Sequence, residues 1–441
     1  MVSLNVPYLN HRSRATWIPR MFMLLSLTAF TVGGNAETLE QAFDTALQQD
    51  ARLSASHHQV AAAEFGLAAA QGQAKPQMSV EALYNRFSDE PSFRVHISPL
   101  PATVLPFAQA ESTLLHAGVT LPLYTGGRLT NAAKAADAQL SAAHTDVERT
   151  RQDIKLSVAE AYVGVLRAQR LLELADSGVV TLTAHLRDVN AFLEHGLVAR
   201  SDALAARTAE ASARQDQMRA ATALEIAQAH YNRLLGRPMT TPVVIDDLAQ
   251  PAVHTASAPQ APGTPAPRAE LVGLAHQADA LMFQSAATRA AGLPQVVLNA
   301  GYNQLQNRYL DKEQLWNLGV GVRWELFDGN VHRRQADALA ARAAAVSALR
   351  SDLESQIAFQ VLAADLMRQE SASRIPVAAT AVEQAQENLR VSRDRYQSGV
   401  GSHTEVLDAE TLRIKSGSNY FNALYDNVLA VQRLKRANGE L

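Results

Sequence analysis

The sequence is marked first by what it lacks. None of its 441 residues is a cysteine, which excludes disulfide staples, thiolate metal sites, cysteine nucleophiles and lipid attachment at an N-terminal cysteine. Aromatics make up 6% and charged residues 19%. The formal net charge of −3 leaves no basic excess for a nucleic-acid partner. Beyond the N-terminal region no apolar run reaches the length of a transmembrane helix, so any membrane span has to be made of β-strands, whose signal is weaker. No Gly-x-Gly-x-x-Gly, phosphate-loop lysine, His-Glu-x-x-His or Gly-x-Ser-x-Gly occurs. His57 and His58 are neighbours on a helix and face different ways. The sequence therefore offers no enzyme, no metal centre and no cofactor. What it has is alanine, and a length suited to two or three ordinary domains. Alanine favours long, closely packed helices.

His11, Arg12, Arg14 and Arg20 precede an apolar run from Met21 to Val32, followed by Gly34-Asn35-Ala36 and Glu37. Basic residues, a short apolar stretch and small residues predict a signal peptide over 1–36, cleaved after Ala36. The run is too short to anchor the chain in a bilayer. The mature chain is thus expected to be exported.

The rest of the chain repeats itself. Shifted by 203 residues, Gly118, Val119, Leu123 and Gly126 fall on Gly321, Val322, Leu326 and Gly329. The same shift takes Gly196 to Gly399, Leu204 to Leu407 and Gly236 to Gly439. Upstream the shift is 218, with Pro76, Gln77, Tyr84 and Asn85 meeting Pro294, Gln295, Tyr302 and Asn303. The 15 extra residues lie in the loop between Asn85 and Gly118. This period is too long for a solenoid and predicts a duplicated domain. The first unit spans 37–248 and the second 268–441, joined by a Pro-, Ala-, Ser- and Thr-rich connector over 249–267.

Each unit opens with a helix, about Leu39 to Gln73 and Glu270 to Ala291, ended by a proline. Strict alternation follows. Met78, Val80, Ala82 and Tyr84 alternate with Gln77, Ser79, Glu81 and Asn85, and Trp316, Leu318, Val320, Val322, Trp324 and Leu326 with Asn317, Gly319, Gly321, Arg323 and Glu325. Strands are predicted at about 77–87, 115–124, 295–303 and 315–327. Period-two segments of this length have the texture of outer-membrane barrel strands. A soluble sheet with one face on a core is the alternative. Against it, Trp316 and Trp324 lie on the apolar side of one strand, and Tyr84, Tyr302 and Phe327 sit near strand ends as interfacial aromatics do.

A glycine turn then leads into helical hairpins at about 129–235 and 331–437, broken at Gly196 and at Gly399 to Ser402. Leu140, Val147, Ile154 and Ala161 keep a heptad spacing, and the first long helix makes a rod of roughly 100 Å. Pro376 is expected to interrupt and kink the second. Four strands cannot close a barrel, and an open sheet edge in lipid costs several kcal/mol per unpaired group, so subunits must share one barrel.

The chain here resembles the outer-membrane channel-tunnel proteins of the TolC (outer membrane efflux protein) type, over about Thr38 to Gly439. The resemblance rests on the duplication, on Leu121-Pro122-Leu123-Tyr124-Thr125-Gly126-Gly127-Arg128 and on two hairpin tips. The tips are His195-Gly196-Leu197-Val198-Ala199-Arg200-Ser201-Asp202 and Arg395-Tyr396-Gln397-Ser398-Gly399-Val400-Gly401-Ser402, the second running on into Glu405-Val406-Leu407-Asp408. It implies a mainly α chain with a membrane β-barrel portion: a homotrimer whose 12-stranded barrel in outer-membrane lipid continues as a periplasmic α-helical tunnel. It also implies a periplasmic adaptor (membrane fusion) protein and an inner-membrane pump of the RND, ABC or MFS type as partners.

By the same resemblance Gly196, Leu197, Ala199, Ser201, Gly399, Val400 and Ser402 match adaptor-docking positions. The glycines also simply turn the chain. Glu405 and Asp408 match the carboxylates lining the narrowest opening, and Asp202 and Tyr396 match positions that hold the closed gate by polar links. The basic partner expected at Gly401 is missing, leaving Arg200 or His403 to replace it. The function expected is a passive exit duct for small toxic compounds. Its rivals are the outer-membrane component of a type I protein secretion system and a soluble periplasmic coiled-coil scaffold.

Overall fold

Thr38 starts the first helix by reciprocal capping: its hydroxyl accepts from the Gln41 amide and the Gln41 side chain accepts from the Thr38 amide. The computed structural model describes residues 36–99, 101–248 and 268–441. Residues 1–35 of the expected signal peptide and the connector 249–267 lie outside these described residues. In chain order the elements are α1 (Leu39–Gln49), α2 (Ala51–Gly72), β1 (Gln77–Arg86), β2 (Ser92–Val95), β3 (Thr103–Pro106), β4 (Glu111–Tyr124), α3 (Arg128–Glu194) and α4 (Arg200–Leu234). They continue with α5 (Ala269–Ala290), β5 (Gln295–Leu305), β6 (Gln314–Arg323), α6 (Val331–Gln397) and α7 (His403–Asn438).

The chain is mainly helical, with one antiparallel four-stranded sheet in the order β1-β4-β5-β6. Four details depart from the sequence expectation. The opening helix is two helices, because Asp50 leaves helical geometry and its carboxylate accepts from the Arg52 amide at 2.7 Å to start α2. The long first loop carries a further hairpin, β2 paired with β3, with Phe93 stacked on Phe107 at 4.5 Å. Strand β6 stops at Arg323, because its partner β5 begins at Gln295, directly after Pro294. Trp324 and Phe327 therefore follow the strand and lead into the turn at Gly329 and Asn330, both with positive φ.

The fourth departure is Pro376, which does not interrupt α6; the helix runs unbroken over 67 residues. A proline removes one amide donor and clashes with the preceding turn, so neighbours have to hold the helix through it. Helix α7 does this: Asn427 donates to Ser371 Oγ at 3.1 Å and to the Arg368 carbonyl at 3.3 Å, and Asp426 pairs with Arg374.

Helix α3 is the centre of the packing, touching α1, α2, α4, α5 and α7, whereas α6 packs mainly on α5 and α7. The largest core lies midway along α3, where Ile154, Val158, Tyr162 and Leu166 meet Leu39, Ala42 and Ala46 of α1, Tyr231 of α4 and Leu235 just after it, and Tyr425 of α7. Polar groups stitch this belt. The Tyr162 hydroxyl lies 2.8 Å from the carbonyls of both Glu37 and Asp246. Arg237 grips the Glu37 carboxylate at 2.6 and 2.9 Å, and the Tyr231 hydroxyl donates to it at 3.0 Å. Burial, with Glu37 and Asp246 nearby, pushes the Tyr162 and Tyr231 hydroxyls upward, so both stay neutral donors.

Candidate functional site

The sheet has one apolar face. Directly opposed residues share a face. Val80 pairs with Ala117 and Ala117 with Tyr302, which in turn pairs with Trp316. Met78 pairs with Val119, Val119 with Ala300 and Ala300 with Leu318. These side chains stand in the open: Met78 is 82% exposed, Val80 74% and Trp316 79%. Aromatics collect at two levels. Tyr84, Tyr302 and Trp316 lie toward the loop end, and Tyr124, Trp324 and Phe327 lie at the helix end, all exposed. Tyr124 was not singled out from the sequence, although it ends a strand as the other interfacial candidates do.

The opposite face is polar. Glu81, His116 and Asn303 form a row, with Thr120 and Asn299 in another. His116 Nδ1 lies 2.7 Å from Asn303 Oδ1, Asn303 donates to Asn317 at 3.3 Å, and Thr120 donates to Asn299 at 3.1 Å. Gly118 and Gly301 clear space for the imidazole: a Cβ on Gly118 would lie 2.7 Å from His116 Nε2, and one on Gly301 3.1 Å from its Cε1. The polar face is thus built around specific side chains.

At the far end of the hairpins two tips meet. Gly196 and Gly399 end α3 and α6 in left-handed geometry, φ 71° and 74°. Leu197 then donates to the Phe192 carbonyl and Val400 to the Arg395 carbonyl, at 2.9 and 3.0 Å, which satisfies the free carbonyls of each helix end. The turn role of these glycines is therefore met in full. The next helices restart on caps: Ser402 Oγ accepts from the Glu405 amide at 3.3 Å, and the Asp202 carboxylate lies 3.4 Å from the Ala199 amide as its acceptor. Leu197 and Val400 project outward, 70% and 69% exposed. Behind them Val189, Ala203, Ala206, Leu389, Tyr396, Val406 and Ala409 form one small core that joins both tips.

The polar candidates divide. Glu405 and Asp408 are exposed on the first turns of α7. Asp408 has no ion pair among the described residues, while Glu405 faces Arg395 at 3.8 Å. Arg395, a cation that no local sequence signal marks, is the one beside Glu405 within the chain. The reason Gly401 carries no side chain is steric: a Cβ there would lie 3.0 Å from Arg395 Cβ and 3.1 Å from the Tyr396 amide nitrogen. Tyr396 is buried and its hydroxyl makes no hydrogen bond to Asp202 within the chain. Burial, then Asp202 and Asp188, raise that hydroxyl above its ordinary range.

The sequence matches the outer membrane efflux protein family over residues 42–237 and 266–440. The chain belongs to this family. Efflux proteins of this kind are passive channels of the Gram-negative outer membrane with a periplasmic tunnel, not enzymes; they form trimers and work with adaptors and inner-membrane pumps. The chain is 25% identical over 439 residues to the outer membrane protein TolC of Vibrio cholerae, covering 96% of this chain and 95% of that one. It is 24% identical over 308 residues to the alkaline protease secretion protein AprF of Pseudomonas aeruginosa, covering 66% and 62%. Its fold is similar to that of the outer-membrane channel OprN, with a TM-score of 0.79 at 18% identity, over 91% of this chain and 90% of that one.

Proposed function

We propose that this efflux-family protein is the outer-membrane exit duct of a tripartite efflux system, passing small toxic compounds from an adaptor and an energised inner-membrane pump to the outside. One observation carries the reading. Four strands present a continuous apolar face on one side and hydrogen-bonded polar residues on the other, and both outer edges, on β1 and β6, are unpaired among the described strands. Lipid accepts the apolar face but not the open edges. On this reading three such chains close those edges into a 12-stranded barrel, and the two halves of each chain form a tube of near-doubled symmetry below. Trp316, Tyr302 and Tyr84 then mark one interface of the membrane, and Trp324 and Phe327 the other.

At the tunnel's end Glu405 and Asp408, repeated by the three-fold axis, form acidic rings that favour cations. Arg395 weakens the Glu405 ring, so Asp408 carries more of the selectivity. The exposed Leu197 and Val400, beside Gly196, Ala199, Ser201, Gly399 and Ser402, are the surface offered to an adaptor. Asp202 and Tyr396 do not bond each other within one chain, and on this reading their gate links run between chains.

Single-channel current from the purified mature protein in planar bilayers tests the duct. Discrete cation-selective steps are expected, and Glu405→Gln with Asp408→Asn should bring the cation/anion permeability ratio toward one. Absence of any current sinks the duct reading in favour of a periplasmic scaffold. Unchanged selectivity discards the acidic rings alone. The similarity to AprF favours a second reading, protein export in a type I secretion system. A deletion strain that gains drug sensitivity but exports its proteins normally supports efflux over that reading.

A further inference from the structure

One cluster at the tips joins Tyr396 of the proposed gate to two histidines that have no role above. His185, on α3, is 4% exposed. The ring of Tyr396, from α6, stands edge-on to it at 4.9 Å, and the ring of His403, the first residue of α7, lies nearly parallel to it at 6.3 Å. His185 Nε2, the Tyr396 hydroxyl and His403 Nδ1 are all buried, and none has a hydrogen-bond partner among the described residues. Three uncompensated polar atoms from three helices meet beside the apolar core that joins the tips. Such a contact packs well only while the buried His185 ring is neutral.

We propose that His185, Tyr396 and His403 form an acid-releasable clasp that holds the α6–α7 tip against α3, so that the tip parts as the periplasm acidifies. Its consequence for transport rests on the duct reading above.

The surroundings set the sign. From α3, Asp188 favours a charged His185, but its carboxylate already accepts from Gln397 of α6 at 3.1 Å. From α6, Arg393 opposes the charge, and from α7 so does His403. Asp202 of α4 acts on Tyr396, and Glu405 is occupied by Arg395. The amide end of α7 adds a partial positive charge beside His403. Burial first, then His403 and Arg393, hold His185 down to about 4 in the packed state. A proton therefore prefers the parted state. The packed state keeps its full advantage above the ordinary imidazole value of about 6.5, and loses up to about tenfold per pH unit between there and about 4.

The absence of cysteine gives a clean test. Leu197→Cys and Val400→Cys, one on each exposed tip, are introduced into the mature chain in detergent, labelled with nitroxides, and their separation is read by pulsed electron resonance from pH 7.5 to 4.5. A longer-distance population should grow as pH falls below about 6.5. In His185→Phe and His185→Gln backgrounds that growth should vanish. Thermal melting followed by circular dichroism at pH 7.5 identifies which background has folded, and either one suffices. Tips that keep their distance down to pH 4.5, or part equally without His185, overturn the clasp. Current recordings at pH 7.5 separate the two ideas: tips that part in a protein passing no current keep the clasp and discard the duct, and currents with immobile tips do the reverse.

Discussion

Helices α3 and α6 have the same length, 67 residues, and the same place in the chain order, yet they live differently. Nineteen residues of α3 are buried against nine of α6, and the difference lies in large side chains. Ile154, Val158, Tyr162 and Val165 of α3 are sealed inside the chain, while α6 leaves Phe359 70%, Leu362 58% and Val377 70% exposed. The cause is their neighbours, since α1, α2 and α4 all cover α3 and none of them covers α6. An exposed apolar stripe of this size marks an interaction surface. So α3 is the axis of the single fold, and α6 keeps an apolar face open, which we propose as the contact between chains.

The sharpest way to break that contrast is one substitution in each helix. Tyr162→Ala removes a fully buried ring and its hydrogen bonds to the Glu37 and Asp246 carbonyls, and should cost about 3–5 kcal/mol. Chemical denaturation of the mature chain should show it as a large fall in midpoint. Phe359→Asp should change the stability of the single chain by only about 0.5 kcal/mol, yet abolish the trimer in size-exclusion chromatography with light scattering. A trimer that survives Phe359→Asp would remove α6 from the interface.

A smaller effect is expected where the two halves are tied together. Arg436 of α7 bonds Asp153 of α3 at 2.7 Å and Glu270 of α5 at 2.6 Å, and Arg268 holds Glu270 from the other side at 2.7 Å. Burial raises the Glu270 carboxyl, but the guanidiniums of Arg268 and Arg436 outweigh it and hold it at about 2. A lowered carboxylate contributes stability above its ordinary value of about 4.5 and loses it as pH falls toward 2. Arg436→Ala should cost about 1.5–3 kcal/mol at neutral pH by removing hydrogen bonds to two carboxylates, although Arg268 still holds Glu270 and Arg149 still pairs with Asp153. It should also flatten the fall in stability between pH 4.5 and 2 measured by denaturant midpoints. An unchanged acid limb would mean that Arg268 alone holds Glu270.

What was legible in the sequence follows the same division. Period-two alternation placed residues such as Val80 and Trp316 on a strand face because each pattern is local and repeats over a whole strand. Glycine marked both tips because a left-handed residue after a helix leaves few other choices. The polar belt around the α3 core was not legible. Glu37, Tyr162, Arg237 and Asp246 are scattered over the chain and converge only through folding, and nothing local marks them. Arg395 and His185 escaped for the same reason: each sits on an ordinary helix, and only the neighbouring helix gives it a role. The hairpin of β2 and β3 is made of four-residue strands, too short for a pattern to stand out. At Pro376 the rule about proline was right locally and was overruled by contacts from α7.

The finest test of the comparison sits at the α6 tip, where two glycines two residues apart are glycine for opposite reasons. Gly399 has a positive φ and nothing within 4 Å of a would-be Cβ. Gly399→Ala should therefore cost about 1–2 kcal/mol through backbone strain alone, matched by Gly196→Ala at the α3 tip, where φ is also positive and the space equally open. Gly401 has no left-handed strain, but a Cβ would press on Arg395 Cβ at 3.0 Å and on the Tyr396 amide nitrogen at 3.1 Å. Gly401→Ala should cost less in the melting temperature of the whole protein. It should instead move Arg395 away from Glu405, freeing that carboxylate and raising cation selectivity in single-channel current. Equal melting shifts at 399 and 401 with unchanged selectivity would show that the α6 tip is a turn and nothing more, like the glycine that ends α3.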